Sequence, residues 1–441
     1  MNRVLTALAV PFLAGAFSAP LAAHDEPAAQ PEVQGVEAWR SDVKGFMAVL
    51  RKEHENPFYH TSEAKMDAAL EAYFAALPSM DRAQRIAGFA KIVAMVGDGH
   101  TWMPMHMLPF EGMPAGPAFR SLPVRFELFD DGLFIVGAPP EHAGLLGRQV
   151  THFADVSSET AVSRALELLP SDARNFASEM VPEWLMQADL LASLDLSESP
   201  ESVTFTVLIE GESAQVEMKP LPLSSRYDWI LTMDSGPSGV ADWQTAAVSV
   251  PLWREPVPEP FALRRLDNAA YLRIDRIANG SDHSLKQMAK SAVVAALELE
   301  RPALVIDLRQ CLGGDGNLNS GLVDAIVNSP SLLQGGRIAV LTSRKSHSAA
   351  VMLVSALEQQ TPAVFYGQPT ADRPNHYGET NIFVTPNTGL PIIYASEYYQ
   401  TSAPDDTRPF RSPDVPLPYL FSDYRDGIDP VLAAALAAFE G

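Results

Sequence analysis

Two short apolar runs, Ala303-Leu-Val-Ile-Asp307 and Arg337-Ile-Ala-Val-Leu-Thr342, constrain the fold of this chain more than any other feature. A strand that is apolar at successive positions needs cover on both faces, which is the condition of a strand inside a parallel sheet. Ala270-Tyr-Leu-Arg-Ile274 reads as a further strand, and helical stretches follow from Ser284 to Leu299 and from Ala349 to Gln359. Strands alternating with helices in this order predict a layered α/β core in the last two hundred residues.

The earlier chain is patterned differently. From Val36 to about Val96 apolar residues recur at helical spacing: Trp39, Val43, Phe46, Met47 and Leu50, then Leu70, Tyr73, Phe74 and Leu77, then Ile86, Phe89, Ile92, Val93 and Val96. Three amphipathic helices are predicted, the last stopped by Gly97-Asp98-Gly99, with a boundary near Pro117. Beyond it, Leu122–Phe129 and Leu133–Val136 flank Asp130-Asp131-Gly132, a hairpin signal. Helices are expected at Ser158–Leu169 and Trp184–Leu194, then strands at Val203–Ile209 and Ala214–Met218. The resulting division is a targeting segment at 1–23, a leader at 24–35, a helical region at 36–116, a small β-rich module at 117–222, a linker at 223–244 and the α/β region at 245–441.

The first 23 residues read as a signal peptide: Arg3, a short apolar run from Val4 to Phe17, and small residues ahead of an expected cleavage after Ala23. That run is too short to span a bilayer, and no later stretch is long enough, so a soluble, periplasmic or secreted protein is expected. With 32 Lys and Arg against 54 Asp and Glu, the net charge is −22, which disfavours a nucleic-acid partner. The single cysteine, Cys311, can form no internal disulfide.

Two places invite chemistry. Ser348 lies where an apolar strand, a polar loop and the start of a helix meet, so its hydroxyl would project beside free N–H groups at a positive dipole end. A plain helix N-cap gives the same local pattern. The run Asp307-Leu-Arg-Gln-Cys-Leu-Gly313-Gly314-Asp-Gly316 carries a buried strand into a glycine-rich loop that can expose N–H groups to an oxyanion, or serve as an ordinary βα turn. It lacks the Lys-Ser or Lys-Thr of a phosphate-cradling loop.

Together these stretches resemble the serine peptidases of the C-terminal processing (tail-specific) family, in its tricorn-core-like branch. The likeness is carried by Ile306–Gly316, Leu341–Ala350, Tyr366–Thr370 and Pro374–Gly378, by Gly97-Asp-Gly-His100-Thr101, by Pro413-Asp414 and by Gly427–Leu432. It implies an α/β catalytic domain of the crotonase-like (ClpP/crotonase) kind, an N-terminal helical region and a PDZ-like β-rich middle module. It also implies Ser348 as nucleophile, and N–H groups of Gly313 or Gly314 with Ala349 as the oxyanion hole. Processing members draw their base from a lysine one helix and one strand after the serine. Here that neighbourhood reads Ala371-Asp372-Arg373-Pro374, and arginine cannot accept the proton. Tricorn-like members use a histidine from the N-terminal region, matched by His100, and a late acidic residue, for which Asp406 is preferred over Asp405 and Glu379. Lys345, His347 and His376 are further acid/base candidates.

The reading is therefore an exported serine peptidase acting on peptides or unfolded protein, with no cofactor and no metal expected. The alternative is a non-catalytic peptide- or lipophile-binding protein on the same fold, suggested by the missing lysine and by Val351 where many similar sequences carry glutamate.

Overall fold

The computed structural model describes residues 35–105, 117, 119–222, 243–335 and 337–440. The expected signal peptide, all but the end of the leader and nearly all of the linker lie outside the described residues.

The chain has a mixed α/β fold. Three helices open it, α1 (Val36–Glu53), α2 (Glu63–Ala76) and α3 (Arg82–Ala94), on the apolar stripes that the spacing predicts. Asp81 caps α3 through a capping box with Gln84, satisfying N–H groups that the helix itself leaves free. An antiparallel sheet follows: β1 (Arg125–Phe129), β2 (Gly132–Ala138), β3 (Gln149–Phe153), then β4 (Val203–Ile209) and β5 (Glu212–Met218). Glu210 and Gly211 both adopt positive φ, the backbone that a tight turn between β4 and β5 requires. Between β3 and β4 stand α4 (Ser158–Leu166), α5 (Arg174–Trp184) and α6 (Ala188–Ser193). The single helix expected at Trp184–Leu194 is thus the junction of two. Pro182 is tolerated in the last turn of α5, and the chain redirects at Gln187, whose backbone is extended.

The C-terminal layer is a six-stranded sheet. Its members are β6 (Phe261–Arg265), β7 (Ala270–Ile274), β8 (Leu304–Asp307), β9 (Ile338–Thr342), β10 (Val364–Gly367) and β13 (Val415–Pro416), side by side in that order. Every pair is parallel except β6 with β7. Residues of β8 and β9 are buried throughout, because α7 (Leu285–Leu297), α8 (Asn319–Val327) and α9 (Ala349–Gln360) pack on one face and the closing helix α11 (Pro430–Glu440) on the other. The short helix α10 (Phe421–Asp426) instead reaches the antiparallel sheet, where Phe421 stacks on Phe134.

One further element positions the site. The antiparallel hairpin of β11 (His376–Val384) and β12 (Pro391–Tyr399) leaves the C-terminal layer and lies against the N-terminal helices. Phe383 meets Phe46 at 6.0 Å, and Phe46 meets Phe89 at 6.1 Å. A buried side chain of this size contributes about 1.5–3 kcal/mol. Asp42 on α1 accepts N–H donation from Asn387 at 3.1 Å and Thr388 at 2.8 Å in the hairpin turn. Leu390, Ile392 and Ile393 consequently share one core with Trp39, Phe46 and Phe89.

Candidate active site

Ser348 immediately precedes α9 and holds φ 55° and ψ −124°, a conformation that L-residues adopt at a cost of about 1–3 kcal/mol. The surrounding loop is tied down on every side. Ser346 Oγ donates to Leu308 O at 2.9 Å, Ser343 Oγ donates to Arg309 O at 2.6 Å, and His347 N donates to Cys311 O at 3.0 Å. Ser348 N donates to Asp372 Oδ2 at 3.0 Å. Its side of the glycine loop is equally close-fitted. Gly313, at φ 110°, has no room for a side chain, since a Cβ there would lie 2.6 Å from Ser348 Cβ and 3.1 Å from Ser348 Oγ. Gly314, at φ 132°, is pressed against the Ile277 backbone. Beneath the loop, buried Arg309 bridges Asp307 at 2.6 Å and Asp429 at 2.8 Å, tying the closing segment to the strand that feeds the glycines.

His100 arrives from the far end of the chain. Its N–H donates to Asp98 Oδ1 at 2.9 Å, and Asp98 Oδ2 faces His54 Nε2 at 3.2 Å. Asn56 N donates to His54 Nδ1 at 3.0 Å, so the His54 proton sits on Nε2 and points at Asp98. The hairpin completes the mount: Ala395 N donates to Thr101 Oγ1 at 3.0 Å, and Trp102 and Ile393 exchange two backbone hydrogen bonds. Gly99 lies so close to Asp372 Oδ1 and Ala173 that a Cβ would collide with both.

The His100 imidazole is buried, and neither ring nitrogen makes an aligned hydrogen bond. Its ring stacks on His347 at 4.4 Å and on His376 at 5.6 Å. Burial, reinforced by those two imidazoles, holds its pKa well below the ordinary histidine value. His347 lies between His100 and Phe176, with Nε2 3.1 Å from Asp372 Oδ2 but poorly aligned for a hydrogen bond. Burial lowers its pKa too, against the opposing pull of Asp372. His376 Nδ1 lies 3.1 Å from Arg373 O and 3.2 Å from Pro374 O; both are acceptors, so Nδ1 carries the proton and Nε2 the lone pair.

Of the residues singled out in the sequence, the structure gathers His100, His347 and His376 around Asp372, whose carboxylate takes the Ser348 N–H, with Gly313 and Ala349 against the serine. The other candidates lie elsewhere. Asp406 is taken up by Ser402 Oγ at 2.7 Å and Arg408 NH2 at 2.8 Å, and that ion pair holds it below the usual carboxylate range. Asp405 is exposed. Glu379 accepts from Tyr399 OH at 2.8 Å on the exposed side of the hairpin. Lys345 lines a cavity with Glu127, Arg309 and Tyr419. Cys311 is buried, and that burial pushes its thiol up to about 12 against the N–H groups of Gly313 and Ile277, which disfavours the thiolate.

Sequence reasoning passed over Asp372. Its signal lies in the sequence, since Asp372 stands in the stretch where processing members carry their lysine and four positions before His376.

No family model and no curated protein match the chain. Its fold does match solved structures. Mature CPAF complexed with lactacystin aligns with a TM-score of 0.61 at 11% identity, over 92% of this chain and 98% of that one. Mature CPAF aligns with a TM-score of 0.57 at 11% identity, over 91% and 96%. A more distant likeness, with a TM-score of 0.42 at 13% identity, is to the photosystem II D1 C-terminal processing protease, over 92% of this chain and 97% of that one.

Proposed function

We propose that this chain, which has the fold of mature CPAF, is a serine peptidase of the C-terminal processing family, in its tricorn-like branch. The observation that carries the reading is Ser348 itself: a strained residue at the mouth of a helix, flanked by a glycine with no room for a side chain and by the Asp372 carboxylate amid buried imidazoles. Strain of this kind is retained where a hydroxyl must be presented to a substrate.

In the proposed reaction Ser348 Oγ attacks the scissile carbonyl while His100 takes its proton and later returns it to the leaving amine. Burial keeps the His100 imidazole unprotonated with a lone pair to offer, and because the same burial weakens it as a base, a nearby carboxylate is needed to offset the charge it gains. Asp372 stabilises the positive charge that develops on the imidazole cluster and fixes the serine backbone through its N–H. N–H groups of Gly313 or Gly314, with Ala349 at the first turn of α9, hold the oxyanion. The Arg408 ion pair argues against giving Asp406 the acid role.

We read the antiparallel sheet with its helices, 117–222, as the PDZ-like module, and 245–441 as the crotonase-like catalytic domain. An edge strand of that module suits an added peptide strand, so the substrate class is peptide or unfolded chain. The N-terminal segment supports export. No helix among the described residues is long and apolar enough to cross a membrane.

The test is covalent labelling joined to cleavage. A fluorophosphonate probe, or lactacystin, which is seen complexed with CPAF, is expected to modify the native chain at Ser348, and casein peptides to be hydrolysed. Both are expected to vanish in Ser348→Ala. Hydrolysis by Ser348→Ala at the wild-type rate would sink the reading.

A further inference from the structure

Three buried side chains beside Ser348 form a donor set whose composition goes beyond acid–base chemistry. His100, Asp372 and His376 each offer one ligand atom, and these atoms lie within 4.8 Å of one another. Ligands around a tetrahedral zinc ion, at about 2.0–2.2 Å from the metal, stand about 3.3–3.6 Å apart, so the set is a side-chain movement of about an ångström from closure.

Two independent features point the same way. His376 donates its Nδ1 proton to backbone carbonyls, an arrangement that fixes the tautomer and aims the Nε2 lone pair away from them, as metal-binding histidines do. His100 is buried with no aligned hydrogen bond at either nitrogen, so turning its ring toward an ion gives up stacking on His347 and a backbone contact at Tyr377 but no well-formed hydrogen bond. The rings of His100 and His376 are nearly parallel, at 6°, and His100 is therefore the one that must turn. Asp372 is anchored on its Oδ2 side by the Ser348 N–H.

We propose that His100, Asp372 and His376 form a binding site for a divalent transition ion, zinc above all. Two imidazoles and a carboxylate are borderline donors that suit zinc over magnesium or calcium, with a fourth position left for water or the serine hydroxyl. Resting on the peptidase reading, the ion is a reversible off-switch, because it takes the lone pair by which His100 accepts the serine proton. The sequence hides this site, since no short-spaced His/Cys pattern announces it and its ligands come from the α3 exit and the start of β11.

The experiment titrates zinc chloride into untagged, chelator-treated full chain against a chromophoric chelator, with cobalt(II) as a spectroscopic stand-in. One equivalent per chain is expected, together with an intense visible cobalt band of tetrahedral type. His100→Gln and His376→Gln, each checked for folding by its thermal melt, are expected to weaken zinc binding at least about tenfold. His60→Gln, at a histidine paired with Asp172 instead, leaves it unchanged. No stoichiometric zinc, or binding indifferent to both glutamine variants, overturns the site. Hydrolysis is read separately. A chain that binds zinc but cleaves no peptide even after the zinc is stripped keeps the metal site and refutes the peptidase reading, whereas cleavage indifferent to zinc with no ion bound does the reverse.

Discussion

The Ser348 junction and the His100 turn meet at one carboxylate, yet they are built on opposite plans. Ser348 is fixed mainly by its own neighbourhood, strand β9, loop, helix α9 and the glycine loop one strand over, with two outside ties from the same loop: Arg344 to Glu179 and His347 against Phe176, both on α5. The His100 turn is fixed by distant parts of the chain: His54 holds Asp98, which takes the His100 backbone N–H, and Ala395 and Ile393 of the hairpin hold the neighbouring Thr101 and Trp102. Ser348, the proposed nucleophile, is thus mounted mostly by local geometry, whereas His100, the proposed base, is mounted by a tertiary clamp. The two should therefore fail differently when broken.

The largest effect tests whether the two ends act as one unit. Ser348→Ala and His100→Ala are each expected to lower kcat by about 10³-fold or more, and the double variant to fall no further, because residues of one machine are not additive. If the double variant loses the product of the two single effects, the clamp and the junction are independent and the comparison dissolves.

Next in size is a contrast between two aspartates. Asp372→Asn keeps the shape but removes the charge that supports the imidazole, and a loss of about 10²–10⁴-fold in kcat is expected. Asp406→Asn, at a carboxylate already committed to Arg408 and Ser402, is expected to leave kcat/KM within about threefold. Equal losses in both variants would return the orienting role to Asp406. Steady-state kinetics on one peptide decides it.

These contrasts also account for what the sequence disclosed. The α/β layer was legible because strands such as β8 and β9 are apolar at every position, a pattern that only two-sided burial explains. Ser348 and the glycine loop were legible because their geometry is local: a strand end, a turn and a helix start are written in adjacent residues. Asp372 was not, since its meaning depends on Gly99 approaching it from another domain-sized stretch of chain. The β11–β12 hairpin was missed for a related reason. Its burial follows its packing on α1 and the segment after α3, so its first residues are buried on both faces while its middle is half-exposed, and no clean alternation survives.

A smaller effect probes the clamp alone. His54→Ala removes the Nε2 proton that holds Asp98, which in turn accepts the His100 N–H. Misplacing a catalytic group by a fraction of an ångström lowers kcat, here by about tenfold, with KM little changed. His54→Gln, which can restore a donor to Asp98, is expected to recover most of the loss. Loss of activity that glutamine does not rescue, or that tracks a lowered melting temperature in both variants, would make His54 a packing residue and nothing more.

The smallest effect on chemistry comes from the seam between β1 and the C-terminal layer, which serves as the outside reference for both ends of the site. Burial raises the Glu127 carboxyl, but Arg254, at 2.9 Å, and Arg125 overcome it and hold the group at about 2. A folded-state value below the ordinary 4.5 means that the pair stabilises the protein fully above pH 4.5. That contribution is lost as pH falls through 4.5 toward about 2, where the folded carboxyl takes up its proton. Glu127→Gln removes the charge, leaving Arg254 buried beside Tyr419 without its counter-ion, and should cost about 3 kcal/mol near neutrality. Because other carboxylates titrate in the same range, the informative quantity is the difference between wild type and variant in melting temperature. It should be constant above pH 5 and shrink steadily below it, while peptide hydrolysis at neutral pH stays within about twofold. A gap that widens on acidification would reverse the sign of the linkage, and a collapse of activity with intact fold would mean that this seam, and not the hairpin clamp alone, sets the position of the catalytic groups.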